Sequence, residues 1–172
     1  MTVKEFFNEL SNSREDIVQK LLVLLQDNSI HYCVIGGLAV NAYVEPLVSL
    51  DLDIVIAVKE LIKFKRMAAD EFRLEEFAHS INLYSSSSDL RIQIQTDERY
   101  QAFIHRASEK ETLGYKMYVA SLEDTLQGKI WAYSDNERKK SKRQKDLADI
   151  FRLVEAFPVL KNILPDNIAQ LY

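Results

Sequence analysis

The apolar run His31-Tyr-Cys-Val-Ile35 stops at two consecutive glycines, Gly36 and Gly37, and a second run from Leu50 to Val58 carries aspartates at Asp51 and Asp53. With only 4 glycines in 172 residues, an adjacent pair marks a place where the backbone needs freedom that a side chain would deny. Leu38 to Tyr43 reads as a short helix closed off by Pro46. The unit is therefore strand, glycine turn, helix, strand. Side chains alternate across a strand, so Asp51 and Asp53 share one face while Leu52 and Ile54 share the other. Past Asp53 the run Ile54-Val-Ile-Ala-Val58 loses its alternation, as a strand covered on both faces does.

The rest of the chain continues in the same manner. Ser13-Arg-Glu-Asp16 has the form of a capping box before a helix with Ile17, Leu21, Leu24 and Leu25 at helical spacing, ended by Asn28-Ser29. Lys59 to Glu71 has the spacing of a covering helix, Phe72 to Ala78 reads as a strand, and the tetraserine Ser85 to Ser88 as a turn or mobile loop. Leu90 to Thr96 alternates, with Arg91, Gln93 and Gln95 on one face, and Tyr115 to Ala120 is a further strand. Ser121-Leu-Glu-Asp124 has the form of a second capping box, for a helix to about Tyr133, and a long helix spans roughly Asp146 to Phe157. Leu160, Ile163, Leu164, Ile168 and Leu171 suit a small docking helix. Strands alternating with helices, then a helical last third, predict an α/β (α+β) fold with a mixed β-sheet flanked by helices. We expect a single domain over residues 1–172, with its core at about 31–120 and C-terminal helices at about 121–172.

Composition excludes several classes. At 47% hydrophobic and 28% charged residues the chain matches a globular protein, and a domain of this length buries enough surface to fold without staples. The single cysteine, Cys33, rules out an internal disulfide framework, fits a reducing compartment and reads as a packed core thiol. No basic leader precedes an apolar stretch at the N-terminus, and no run approaches the length of a membrane span. A cytoplasmic protein with no membrane partner is the expectation. The net charge of −4 gives no global pull toward nucleic acid, although six of the eight residues from Arg138 to Lys145 are basic.

Two carboxylates on one strand face can share a hard divalent cation, and Mg²⁺ prefers a few carboxylates completed by water and phosphate oxygens. Glycines at a strand–helix junction let the backbone approach a phosphate. Together the two halves would supply donors for a triphosphate and acids for its metal.

Val34-Ile-Gly-Gly-Leu-Ala-Val-Asn-Ala-Tyr43 followed by Ser49-Leu-Asp-Leu-Asp-Ile-Val-Ile56 resembles the nucleotidyltransferase superfamily of the DNA polymerase β type. The likeness is strongest to the small bacterial branch related to AbiEii-like toxins of toxin–antitoxin systems. Gly128-Lys129 and Lys142-Arg-Gln-Lys-Asp146-Leu-Ala-Asp149-Ile resemble that branch's second block, so the likeness covers roughly residues 31–153. The resemblance implies a Mg²⁺- or Mn²⁺-dependent transferase that moves an NMP from an NTP to an RNA or protein acceptor and releases pyrophosphate. It assigns Asp51 and Asp53 to the metal and to catalysis. Gly36, Gly37, Ser49, Lys129 and Asp146 go to the nucleotide. Because a chain this small has no separate substrate domain, a dimer or partner protein is expected to assist acceptor recognition.

Two places depart from that pattern. Leu47 and Ser49 stand where the family has an Arg-x-Thr-x-Asp arrangement, and Gln93 and Gln95 stand where a third carboxylate is expected, with Asp89 and Asp97 as neighbouring substitutes. An amide can ligate or orient but cannot take a proton as a carboxylate does. An alternative therefore stands: a catalytically weak nucleotide-binding or antitoxin-like partner protein of the same fold, or an interaction protein whose Gly-Gly and Asp-x-Asp are turn chemistry. Asp149 is expected to pair with a base, and Trp131 and Tyr133 to pack rather than stack on a nucleobase. His31, His79 and His105 are scattered and read as structural. The basic run is either a nucleic-acid contact or a solvated helix start.

Overall fold

The computed structural model describes residues Met1–Tyr172. In chain order its elements are α1 (Val3–Leu10), α2 (Ile17–Asp27), β1 (Tyr32–Ile35), α3 (Gly36–Val40), β2 (Asp51–Ile56), α4 (Leu61–Ala68), β3 (Arg73–Glu76), β4 (Ser80–Ser85), β5 (Ser88–Gln95), α5 (Phe103–Arg106), β6 (Ser108–Thr112), β7 (Tyr115–Val119), α6 (Leu122–Ser134), α7 (Lys140–Ala156) and α8 (Asp166–Ala169). The strands form one mixed sheet in the order β3-β4-β5-β2-β1-β7-β6. This is the mixed, helix-flanked sheet that the sequence predicts.

β2 lies at the centre, antiparallel to β1 and parallel to β5. Both faces of the sheet are covered, and the alternation of β1 and β2 shows how. Val34, Leu52, Ile54 and Ile56 enter the main core with residues of α2 and α4. Cys33, Ile35 and Val55 face the other way, into a cluster with Tyr100 and Phe103. Period-two geometry puts Asp51 and Asp53 on the Val55 face. A third cluster joins α6 and α7 through Leu126, Ile130, Ile150 and Leu153, and Leu160, Leu164 and Ile168 of the tail dock into it. Ile163 and Leu171 remain exposed.

Several elements differ from expectation. α1, β4, α5 and β6 have no counterpart in the sequence reading, and the tetraserine is the tight turn of the β4–β5 hairpin, with Ser85 paired to Ser88. Asp16, not Ser13, caps α2, accepting from the Gln19 amide at 2.9 Å. At the start of α6 only half of the capping box forms. Ser121 accepts from the Asp124 amide, while the Asp124 carboxylate turns to Arg106 at 2.7 and 2.9 Å. A charged, forked donor outcompetes a single backbone N–H. The basic run does not precede the last long helix but forms its first turns, because α7 begins at Lys140. No helix is long and apolar enough to cross a membrane.

Candidate active site

Asp51 and Asp53 open into a cleft of about 610 Å³, bounded by the Gly36–Gly37 turn, β5, α6 and α7. β1 and β2 place Ile35 opposite Asp53, so the turn that follows Ile35 lies against that carboxylate. Gly36 has φ +70°, and a Cβ there would stand 2.6 Å from Asp53 Oδ2. Gly36 is therefore fixed by conformation and by contact. At Gly37 an added Cβ would meet only Ser49, its Oγ at 3.9 Å, so the protein itself leaves that position open. Ser49 Oγ accepts from the Asp51 amide at 3.2 Å, which seats the hydroxyl beside both Gly37 and the first aspartate.

The two carboxylates differ in their surroundings. Asp51 is partly exposed and has Arg91 Nε 3.0 Å from its Oδ1. No hydrogen bond or ion pair ends on the Asp53 side chain. Burial, and then the charge of Asp51, push its pKa above the ordinary value, against the pull of Lys129, Arg91 and Arg138. An unpartnered, desolvated carboxylate is costly unless a cation joins it. No group of three or more His, Cys, Asp or Glu side chains converges in the molecule, so a metal here would have two protein carboxylates at most. That donor set fits Mg²⁺ completed by water and substrate oxygens.

The other sequence-predicted residues fall into two groups. Lys129, Asp146 and Asp149 come together in an ion-pair cluster: Lys129 Nζ lies 3.0 Å from Asp146 Oδ1 and 2.8 Å from Asp149 Oδ2. Arg138 Nε binds Asp146 at 2.7 Å and Arg152 binds Asp149 at 2.7 Å. Burial alone would lower the Lys129 pKa, but Asp149 and Asp146 more than offset it and hold the ammonium charged. Asp149 thus pairs with bases as expected. Asp146, with a side chain only 2% exposed, anchors Lys129 and Arg138 and offers no free oxygen to the cleft.

Gln93 pairs in register with Asp53 and lines the cleft, so the neighbouring strand presents an amide beside the aspartate. Gln95 lines the cleft as well, but its Oε1 is taken, accepting from the Asp97 amide at 3.0 Å. Neither substitute acid reaches the cleft: Asp97 is gripped by Arg99, and exposed Asp89 accepts from Asn12. Of the lining acids, Asp124 is also engaged, by Arg106. Trp131 packs as expected, stacked on Phe103 at 5.6 Å, and Tyr133 carries the Arg143 guanidinium over its ring.

Sequence reasoning missed Arg91. Its position opposite Asp51 depends on the β2–β5 register, which no local pattern specifies. A wider hollow of about 830 Å³ lies elsewhere, among Glu15, Lys20, Glu71 and Arg73, but there Lys20 already pairs with both glutamates.

No protein-family model matches the chain, and no curated protein matches it in sequence. Solved structures do resemble it. ANT(2")-Ia in complex with adenylyl-2"-tobramycin superposes with a TM-score of 0.63 at 14% identity, over 91% of this chain and 97% of that one. The lincosamide antibiotic adenylyltransferase LnuA, lincomycin-bound, gives 0.56 at 14% identity, over 83% and 99%. An antigenic nucleotidyltransferase-like protein from Paracoccidioides brasiliensis gives 0.54 at 18% identity, over 81% and 74%. The fold is that of the nucleotidyltransferases.

Proposed function

We propose that the chain is a Mg²⁺-dependent nucleotidyltransferase that moves an NMP from an NTP to an RNA or protein acceptor. One observation carries the reading: Asp53 is unpartnered beside Asp51, and the residue packed against it is Gly36 of the turn. The metal, when bound, supplies charge neutralisation at the phosphates and polarises the α-phosphorus. Asp51 and Asp53 hold it. The open backbone at Gly37, with the Ser49 hydroxyl next to it, receives the phosphate chain, and Lys129, held charged by Asp149 and Asp146, offsets its charge together with Arg138, which pairs with Asp146. Contact of Lys129 with Asp146 and Asp149 joins the two parts of the block that resembles the AbiEii-like branch, which supports that branch.

The test is transfer of label from α-labelled NTPs to macromolecules of a cell extract in the presence of Mg²⁺. Label should move with the unaltered protein and be lost in Asp51→Ala/Asp53→Ala; labelling that survives the double substitution sinks the assignment. A second reading, a nucleotide-binding partner protein with little turnover, is favoured by Gln93 standing beside Asp53. Mg²⁺-dependent NTP binding without any transfer would select it.

A further inference from the structure

One flank of the cleft is lined with cations, and two of them have no carboxylate partner. β5 and β1 lie on opposite sides of β2, so Arg91, level with Asp51, stands across the carboxylates from the Gly36–Gly37 turn. α7 crosses the cleft, and its start and one face (Arg138, Lys142, Lys145, Arg152) line it at helical spacing, whereas Lys139 and Lys140 point elsewhere. At the far end Arg152 reaches the Glu45 carbonyl in the loop after α3.

These cations are not equally occupied. Arg138 and Arg152 are tied to Asp146 and Asp149, and Arg143 folds back to the Tyr133 carbonyl at 2.6 Å. Lys142 and Lys145 stand in no ion pair. Lys142 is half-buried and crowded by Arg91 and Arg138, and that burial and crowding lower its pKa. Arg91 Nε is buried and, although near Asp51, finds no hydrogen-bond acceptor in line. Like charges packed together with an unsatisfied donor suit an anion that is supplied from outside.

We propose that Arg91, Lys142 and Lys145 form a phosphate subsite for the acceptor, and that the acceptor is a single-stranded polynucleotide. The inference rests on the nucleotidyl-transfer reading. Two unpaired lysines one turn apart on a helix face, with Arg91 across from them, match successive phosphates of a strand and repel a polycationic acceptor. With a phosphate of the strand on Lys142 and Arg91, a strand hydroxyl lies beside Asp51. Its oxygen forms the new bond to the α-phosphorus of the NTP, the bond from that phosphorus to the β-bridging oxygen breaks, and pyrophosphate leaves with the electron pair. The proton passes to water in the open cleft, since Asp124, Asp146 and Asp149 are each held by a cation.

The experiment is fluorescence anisotropy of the full chain with end-labelled single-stranded RNA and DNA oligonucleotides, without NTP or Mg²⁺, over a series of salt concentrations. Lys142→Met/Lys145→Met should reduce the slope of log affinity against log salt by roughly 1.4, at roughly 0.7 per lost phosphate contact. Arg91→Met should weaken binding at every salt concentration, and Lys139→Met/Lys140→Met should leave the slope nearer that of the unaltered protein. The RNA and DNA arms say which strand is preferred. No binding of either strand, or an unchanged slope in Lys142→Met/Lys145→Met, would overturn the proposal. So would loss of Mg²⁺-dependent NTP binding in Lys142→Met, because the lysine would then serve the triphosphate. Strand binding that persists in a protein unable to bind NTP would remove the transferase reading and leave the subsite standing.

Discussion

Gly36 and Asp53 touch: a Cβ on the glycine would lie 2.6 Å from the carboxylate oxygen Oδ2 of the aspartate. The turn and the second aspartate of Asp-x-Asp are thus one structural unit, assembled by the β1–β2 register that sets Ile35 opposite Asp53.

Gly36→Ala should therefore cost about 1–2 kcal/mol for the left-handed backbone alone, plus whatever displacing Asp53 costs. The same substitution in an Asp53→Ala background should cost less, because the oxygen it strikes is gone. Urea denaturation of the four proteins of this cycle measures the coupling. Equal costs in both backgrounds would show that the contact carries no strain.

Asp53→Asn should stabilise the metal-free protein by about 1 kcal/mol, since it removes a half-buried charge that has no partner. Under the proposed function Mg²⁺ with NTP should raise the melting temperature of the unaltered protein, and this substitution should abolish that rise. Thermal melts with and without the ligands read both effects.

Asp146→Ala leaves Lys129 and Arg138 facing each other without their shared anion, and we expect a loss of about 3 kcal/mol. Lys129→Met/Asp146→Leu removes both charges of one pair and should recover part of that loss. Equilibrium unfolding distinguishes this from a cleft residue with no structural role, whose removal would leave the midpoint in place.

Burial, with the charge of Asp124 adding to it, pushes the Cys33 thiol from 9.0 up to about 12. The folded chain keeps a proton that the unfolded chain releases above pH 9, so this contribution to stability is full below pH 9 and declines as pH rises toward 12. Cys33→Ala should lose that component. The comparison is cleanest between pH 9 and 10, before the tyrosines titrate. In the native state at pH 8, a thiol-specific dye should react only as fast as the protein unfolds.

Gln93→Glu places a third carboxylate level with Asp53. If proton removal from the acceptor limits transfer, labelling should rise by about 100-fold or more, the usual range for a positioned base. An unchanged rate would mean that the acceptor loses its proton without help from the protein.

The central motif was legible because it is local. A glycine pair after an apolar run and two aspartates at strand spacing need no tertiary information, and the face they share follows from the pleat. The resemblance singled out Lys129, Asp146 and Asp149, but their mutual ion pairs depend on how α6 packs on α7 and no local pattern shows them. Arg91 was illegible because its place opposite Asp51 is set by pairing between strands far apart in the chain. The capping box at Ser121 failed for a similar reason, its acid being claimed by Arg106 from another element. β4 and β6 escaped notice because a six-residue stretch such as Ser80–Ser85 mixes polar and apolar residues without clean alternation. Asp146 was assigned to the nucleotide, yet its carboxylate is spent on two cations.

Along the α6–α7 wall, Lys129, Arg138 and Arg152 share only Asp146 and Asp149. With the unpaired Lys142 and Lys145 and the acid Asp124 counted as well, five positive charges against three negative leave that wall at +2, while the floor of the cleft bears Asp51 and Asp53. Opposite charges on facing surfaces of a narrow, partly desolvated slot sustain a field across it. A ligand charged at one end and neutral at the other would be turned by that field as it enters, so its orientation would be chosen before any contact is made.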